Sequence, residues 1–273
     1  MLPSLLLAGC VGFWSTPTER LLDLARQGGL QRESWQSGPF HLTVLVRDSR
    51  PEAQTLVVYL EGDGLAWLDR NRLSPDPTPI DSPVVPMLLR DPAPKVLYLA
   101  RPCQYVGGLA SGCAPKYWST HRYAPEVVTA LSQAIDRAKG RLGVRQIGLI
   151  GYSGGGVIAA LLAAARDDVA WWITVAANLD LTAWTRHHGV SSMPASRDPV
   201  DFVARLARLP QAHFMGGRDR QVPESVTRAF LDRLPPGTPL QSRVLADFDH
   251  GCCWSEAWPT LLDSVAFRRN PLE

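Results

Sequence analysis

The sequence predicts an α/β fold, a mostly parallel central sheet with helices on both faces. Three observations lead there. Apolar runs of strand length alternate with stretches rich in helix formers. Most of those runs are apolar at nearly every position, as strands covered on both faces require. Residues 149–157, LIGYSGGGV, set one hydroxyl among glycines where such a run meets a helix-forming stretch.

The elements follow in order. HLTVLVRD (41–48) reads as an early strand on period two, and TLVVYLEGDG (55–64) as a buried strand ending in glycines. Prolines at 75, 77, 79, 83, 86, 92 and 94 break the next stretch into loop, with room for a short helix over 85–90. KVLYLARP (95–102) is the next strand. Residues 125–139 form an amphipathic helix with Pro125 at its start and Gly140 after its end. RQIGLIGY (145–152) and VIAALLAAA (157–165) are the strand and helix flanking Ser153. WWITVAAN (171–178), QAHFMGG (211–217), a helix over 223–234, VLADFDH (244–250) and a closing helix over 258–267 complete the alternation. With no repeat or interdomain linker, residues 38–273 are expected to form a single domain without a large lid. An N-terminal segment (11–37) and residues 1–10 precede it.

A chain of 273 residues with 45% hydrophobic content has enough material for a sizeable core. Its formal charge of +2 is spread along the chain, which argues against a nucleic-acid partner. The densest basic stretch, RAKGRLGVR (137–145), reads as a solvated helix end. No run approaches the length of a membrane span, and 157–165 is followed by Arg166, Asp167 and Asp168.

In such sheets ligands collect beyond the C-terminal strand ends. Ser153 follows one strand, Asp219 in GGRDRQVP another, and His250 in ADFDHGCCW the last. Glycines at 151, 154 and 155 permit the tight turn that a nucleophile between strand and helix needs. A serine hydroxyl is a poor nucleophile near pH 7, and a neutral imidazole is the base suited to activate it. His250 fills that role. Asp219 is expected to hold its tautomer and stabilise the imidazolium, with Asp180 and Asp249 as alternative acids. The Gly154 N–H, at a helix N-terminus, is the first oxyanion donor.

Across roughly Phe40 to Phe267 the chain resembles the α/β-hydrolase superfamily, and it looks most like a bacterial secreted or lipoprotein serine hydrolase. GYSGG matches the nucleophile elbow, GGRDRQVP the acid turn and DH the base, in the order Ser, Asp, His. The resemblance implies cleavage of an acyl bond through an acyl-enzyme, with a carboxylesterase for small or medium acyl esters as the first reading. A peptidase, amidase or thioesterase of the same fold is one alternative, and a catalytically inactive membrane-tethered binding domain another. Where relatives usually carry His-Gly-x, this chain carries Glu61-Gly62-Asp63. The match assigns the second oxyanion donor to the Asp63 N–H, with Gly64 as the alternative. It also requires that new partners replace the hydrogen bonds of the histidine. The expected partner is a small-molecule acyl substrate, with no cofactor, metal or obligate protein partner.

Leu7-Ala8-Gly9-Cys10 resembles the lipobox of bacterial lipoproteins, which implies a lipid anchor on Cys10 and a periplasmic or outer-membrane-anchored protein. The apolar run is short and no Lys or Arg precedes it, and without a signal the protein would be cytoplasmic. Cys103 and Cys113 bracket a glycine-rich loop and are the first choice for a disulfide. Cys252 and Cys253 are adjacent, and either their own bridge or a crossed pairing with the first two is open. The spacing C-x-x-C is absent, which argues against a metal site. Trp67, Tyr105, Tyr117, Trp118, Trp184 and Trp254 are candidates to line a substrate pocket. His187 and His188 read as a solvated loop pair. The segment TAWTRHHGVSSM (182–193) lies where many relatives insert a lid, and its brevity predicts an open site.

Overall fold

The computed structural model describes residues 15–107 and 112–269. The elements run α1 (Pro17–Gln27), β1 (Gln31–Ser37), β2 (Phe40–Asp48), β3 (Thr55–Leu60), β4 (Trp67–Asp69), β5 (Arg72–Leu73), α2 (Val84–Leu89) and β6 (Lys95–Leu99). They continue α3 (Pro125–Leu142), β7 (Gln146–Tyr152), α4 (Gly154–Ala165), β8 (Val169–Val175), α5 (Leu181–His188), α6 (Val203–Leu206) and β9 (Gln211–Gly216). The last are α7 (Glu224–Leu231), β10 (Leu240–Leu245), α8 (Trp254–Ser264) and α9 (Ala266–Arg269). Eight strands form one sheet in the order β1-β2-β6-β3-β7-β8-β9-β10, and β4 with β5 makes a small hairpin. From β6 through β10 every neighbour is parallel, while β2 runs antiparallel to both β1 and β6.

Successive side chains of a strand point to opposite faces, and here both faces are covered. Leu56, Val58 and Leu60 of β3 pack with α3 and α4, and Val57 and Tyr59 pack with α1, α2 and α8. The two resulting cores sandwich the sheet and hold the ends of β3 and β7 in fixed register.

The early elements depart from expectation. Residues 17–37 contribute α1 and an edge strand that pairs with β2 over its whole length. QRESWQS is mostly polar because an edge strand has a solvent side, and Trp35 and Ser37 are its buried positions. Thr16 caps α1 through a reciprocal box with Glu19, a signal present in the sequence as T-P-T-E. The helix α3 passes Gly140 and stops at Gly143, which takes the left-handed conformation with φ 64°. The last strand is shifted as well, to 240–245. Residues after Leu245 leave the sheet, with Arg218 N–H donating to Phe248 O, and carry His250 back from an edge three strands removed from β7. The closing helix starts earlier than expected, at Trp254, and residues 182–188 are helical rather than loop.

Two glycine substitutions test this packing. A Cβ on Gly155 would run into the carbonyls of Leu60 and Glu61, whereas one on Gly140 meets nothing. Gly155→Ala should lower the denaturant midpoint by an equivalent of about 1–3 kcal/mol. Gly140→Ala should raise it by about 0.5–1 kcal/mol, since alanine is the better helix former.

Candidate active site

Ser153 sits between β7 and α4 at φ 51° and ψ −126°, a conformation that L residues avoid. The turn is anchored by Ser153 N–H donating to Val175 O and Gly156 N–H donating to Ser153 O, both at 2.9 Å. Gly151 lies against Gly155, and Gly155 against the end of β3, so no side chain fits at either place. The chain therefore presents the hydroxyl at the sheet's C-terminal edge.

His250 Nε2 lies 3.0 Å from Ser153 Oγ, and His250 Nδ1 lies 2.8 Å from Asp219 Oδ2. The other Asp219 oxygen accepts the N–H groups of Gln221 and Val222 at 2.8 Å each, which fixes the carboxylate in the GGRDRQVP turn. That carboxylate is fully buried while His250 keeps slight exposure. The His250 carbonyl is held by Tyr152 Oη at 2.8 Å and Trp254 Nε1 at 3.0 Å. Both donors come from regular elements, the end of β7 and the start of α8. The three side chains are far apart in sequence and are brought together at the C-terminal edge of the sheet, in the arrangement of a serine hydrolase.

The loop after β3 closes the other side. Gly62 packs against Ser153, and the Asp63 side chain packs against Gly154. Asp63 accepts from Arg101 Nη1 at 2.9 Å, Arg122 Nη1 at 2.6 Å and Tyr123 Oη at 2.7 Å. Burial alone would raise its pKa, but Arg122 and Arg101, with the Tyr123 hydrogen bond, hold it below the usual carboxylate value. Glu61 is buried as well and accepts from Ser82 Oγ, Tyr98 Oη and the Gly62 N–H, supplying the hydrogen bonds that fix this loop without a histidine. Burial pushes its carboxyl up, against the pull of those donors. Gln104 adds a bond from Nε2 to Gly62 O at 2.9 Å.

No family model matches the chain, and no curated protein matches it either. Solved structures do. The Pyrococcus furiosus esterase Pf2001 superposes with a TM-score of 0.63 at 15% identity, over 94% of this chain and 96% of that one. Est1E from Butyrivibrio proteoclasticus gives 0.59 at 14% identity, over 85% and 97%. A puromycin hydrolase gives 0.62 at 16% identity, over 86% of this chain and 38% of its own. The chain has the α/β-hydrolase fold.

Within that fold the alternative acids have other work. Asp180 caps α5 through Ala183 N–H at 2.7 Å and pairs with Arg233 at 3.0 Å. Asp249 accepts the N–H groups of Gly251 and Cys252, closing the turn after His250. Gly64, at φ 66°, turns toward Pro77. A cavity of about 520 Å³ opens beside Ser153 and His250, with Trp67, Trp184, Asn178, Arg122 and Val222 in its walls. Of the six aromatic candidates Trp67 and Trp184 line it, and Tyr105 lines a neighbouring cavity. Trp254 is buried in one of the cores, Trp118 is buried in a small separate cluster with Ala66 and Cys103, and Tyr117 packs on Phe40. His188 bonds Gln221 O at the end of α5. Cys103 pairs with Cys113 and Cys252 with Cys253, so the crossed pairing does not occur. Among the described residues no three His, Cys, Asp or Glu side chains gather as a metal-binding group. Sequence reasoning missed Arg101, Arg122 and Tyr123. The available signal was Arg101, a charge standing right after the apolar run KVLYLA.

Two carboxylates should separate by phenotype. Asp219→Asn should cut kcat by several orders of magnitude with little change in melting temperature, because the tautomer-fixing acceptor is lost. Asp63→Asn leaves two buried arginines without their counter-charge and should cost about 3–5 kcal/mol of stability, read from urea midpoints. The folded pKa of Asp63 lies below its unfolded value. Its contribution is therefore complete above about pH 4 and is lost as pH falls through the folded pKa.

Proposed function

We propose that the chain is a carboxylesterase that cleaves small or medium acyl esters through an acyl-enzyme. The observation that carries this reading is the unbroken relay from Asp219 through His250 to Ser153. Ser153 Oγ attacks the ester carbonyl as its proton passes to His250 Nε2. The imidazolium then gives that proton to the departing alkoxide as the C–O bond breaks, and a water repeats the sequence to release the acid.

Negative charge develops on the carbonyl oxygen, and the N–H groups of Gly154 and Asp63 are the proposed donors. The packing of Asp63 against Gly154 supports the pair, since it sets the two backbone segments side by side. A carboxylate at this place would oppose an oxyanion if it were bare. Arg101 and Arg122 neutralise it, so the positive end of α4 and the donors dominate the local field. An idle binding domain has no physical need for such a relay. Export to an oxidising compartment belongs to the same proposal. The two disulfides support it, and Cys10 itself lies outside the described residues. No helix among the described residues is long and apolar enough to cross a membrane.

The test is a fluorophosphonate probe followed by matched aryl ester, thioester and peptide amide substrates. The probe should modify Ser153, and the oxygen ester should turn over fastest. Ser153→Ala and His250→Ala should each remove labelling and nearly all turnover, because the two groups act as a unit. Equal labelling of another serine would reject the nucleophile, and faster amide than ester cleavage would move the assignment to a peptidase.

A further inference from the structure

A second cavity of about 640 Å³ adjoins the first and shares Glu61, Pro79, Ile80, Asp81, Ser82 and Gly251 with it. Its outer walls come from three elements on one face of the sheet: Leu21 and Leu24 of α1, Val85 and Pro86 of α2, and the Cys252–Cys253 bridge ahead of α8. These surfaces are mainly apolar. The charged groups at this cavity are Arg20, Asp81 and Glu256, all at least partly exposed, and Glu61, which is buried and hydrogen-bonded to Ser82 and Tyr98. Arg20 donates to Ile80 O at 2.7 Å and so ties α1 to the segment that lines both cavities. Ile80, 54% exposed, adds apolar surface to the wall that the two cavities share.

The chemistry orients this groove. His250 must give its proton to the leaving oxygen, so the leaving group lies on the His250 side of Ser153. The residues that continue the groove from that ring are Gly251, Cys252 and Cys253. We infer that the groove between α1, α2 and the Cys252–Cys253 bridge takes an unbranched hydrocarbon arm on the alcohol side of the ester, which makes the chain selective for esters of medium-chain alcohols. The inference rests on the esterase reading. It assigns a role to α1, which otherwise only covers the sheet, and to the paired cysteines.

The experiment compares two ester series on the full chain, methyl to hexyl acetate and methyl acetate to methyl hexanoate. Lengthening the alcohol should raise kcat/KM about threefold to fourfold per methylene, as a buried CH₂ requires. Ser255→Trp, in the first turn of α8, places an indole in the groove, and Leu24→Glu places a charge in it. Either variant should flatten the alcohol series while leaving methyl acetate turnover and the slope of the acyl series within about twofold of the parent. A flat alcohol series in the parent overturns the inference. So does a slope that survives both variants, or a loss confined to the acyl series. Absence of probe labelling and of methyl acetate turnover in the parent would instead reject the esterase reading, and the groove assignment with it.

Discussion

The start of α4 lies against the ends of β3 and β7 with no side chain between them, and the active site depends on that contact. Gly151, Gly155 and Gly156 each face a neighbour so closely that a methyl group would collide with it. Their absence of side chains lets the chain reverse from strand to helix within one residue. Ser153 takes the resulting strain at φ 51°, and the two cores hold it there. The helix direction then sets the Gly154 N–H and the positive end of α4 beside Ser153, where the proposed reaction would develop charge. His250 reaches this point only because the chain leaves the sheet after Leu245 and is caught by Tyr152 and Trp254.

Charge is the second constraint. Four ionisable groups lie close to Ser153: Glu61, Arg101 and Arg122 are buried and Asp63 is largely so. Each has a partner, as burial demands. Their bonds run from the loop after β3 to the end of the neighbouring strand β6 and to the chain ahead of α3, which is outside the sheet, and so fix the loop on two sides.

The strands around the site were legible because a parallel sheet buries both faces and leaves long apolar runs. The elbow was legible because its glycines are a geometric necessity. Ser153, Asp219 and His250 could be joined before any coordinates because each follows a strand end. The edge strand β1 was not legible, since its polar side follows no simple pattern, and α1 went unread although Thr16 and Glu19 announce its start. The arginine cluster was hidden for a different reason. Arg101 meets Asp63 because β6 pairs with β3, and Arg122 meets it from the chain ahead of α3; such long-range pairing leaves no trace in local spacing. Trp118 and Trp254 show the converse, aromatic residues near strand ends that the fold uses as core.

The central claim is that Ser153 carries the acyl group during turnover. Rapid mixing of the protein with an activated aryl ester, quenched in acid within the first turnover and digested for mass spectrometry, tests it most directly. The account predicts an early burst of the aryl alcohol approaching one equivalent per chain, with the acyl mass on the peptide that contains Ser153 and no other. Release of the alcohol with no acylated peptide in the quenched sample, or an acyl group on a different residue, would contradict it.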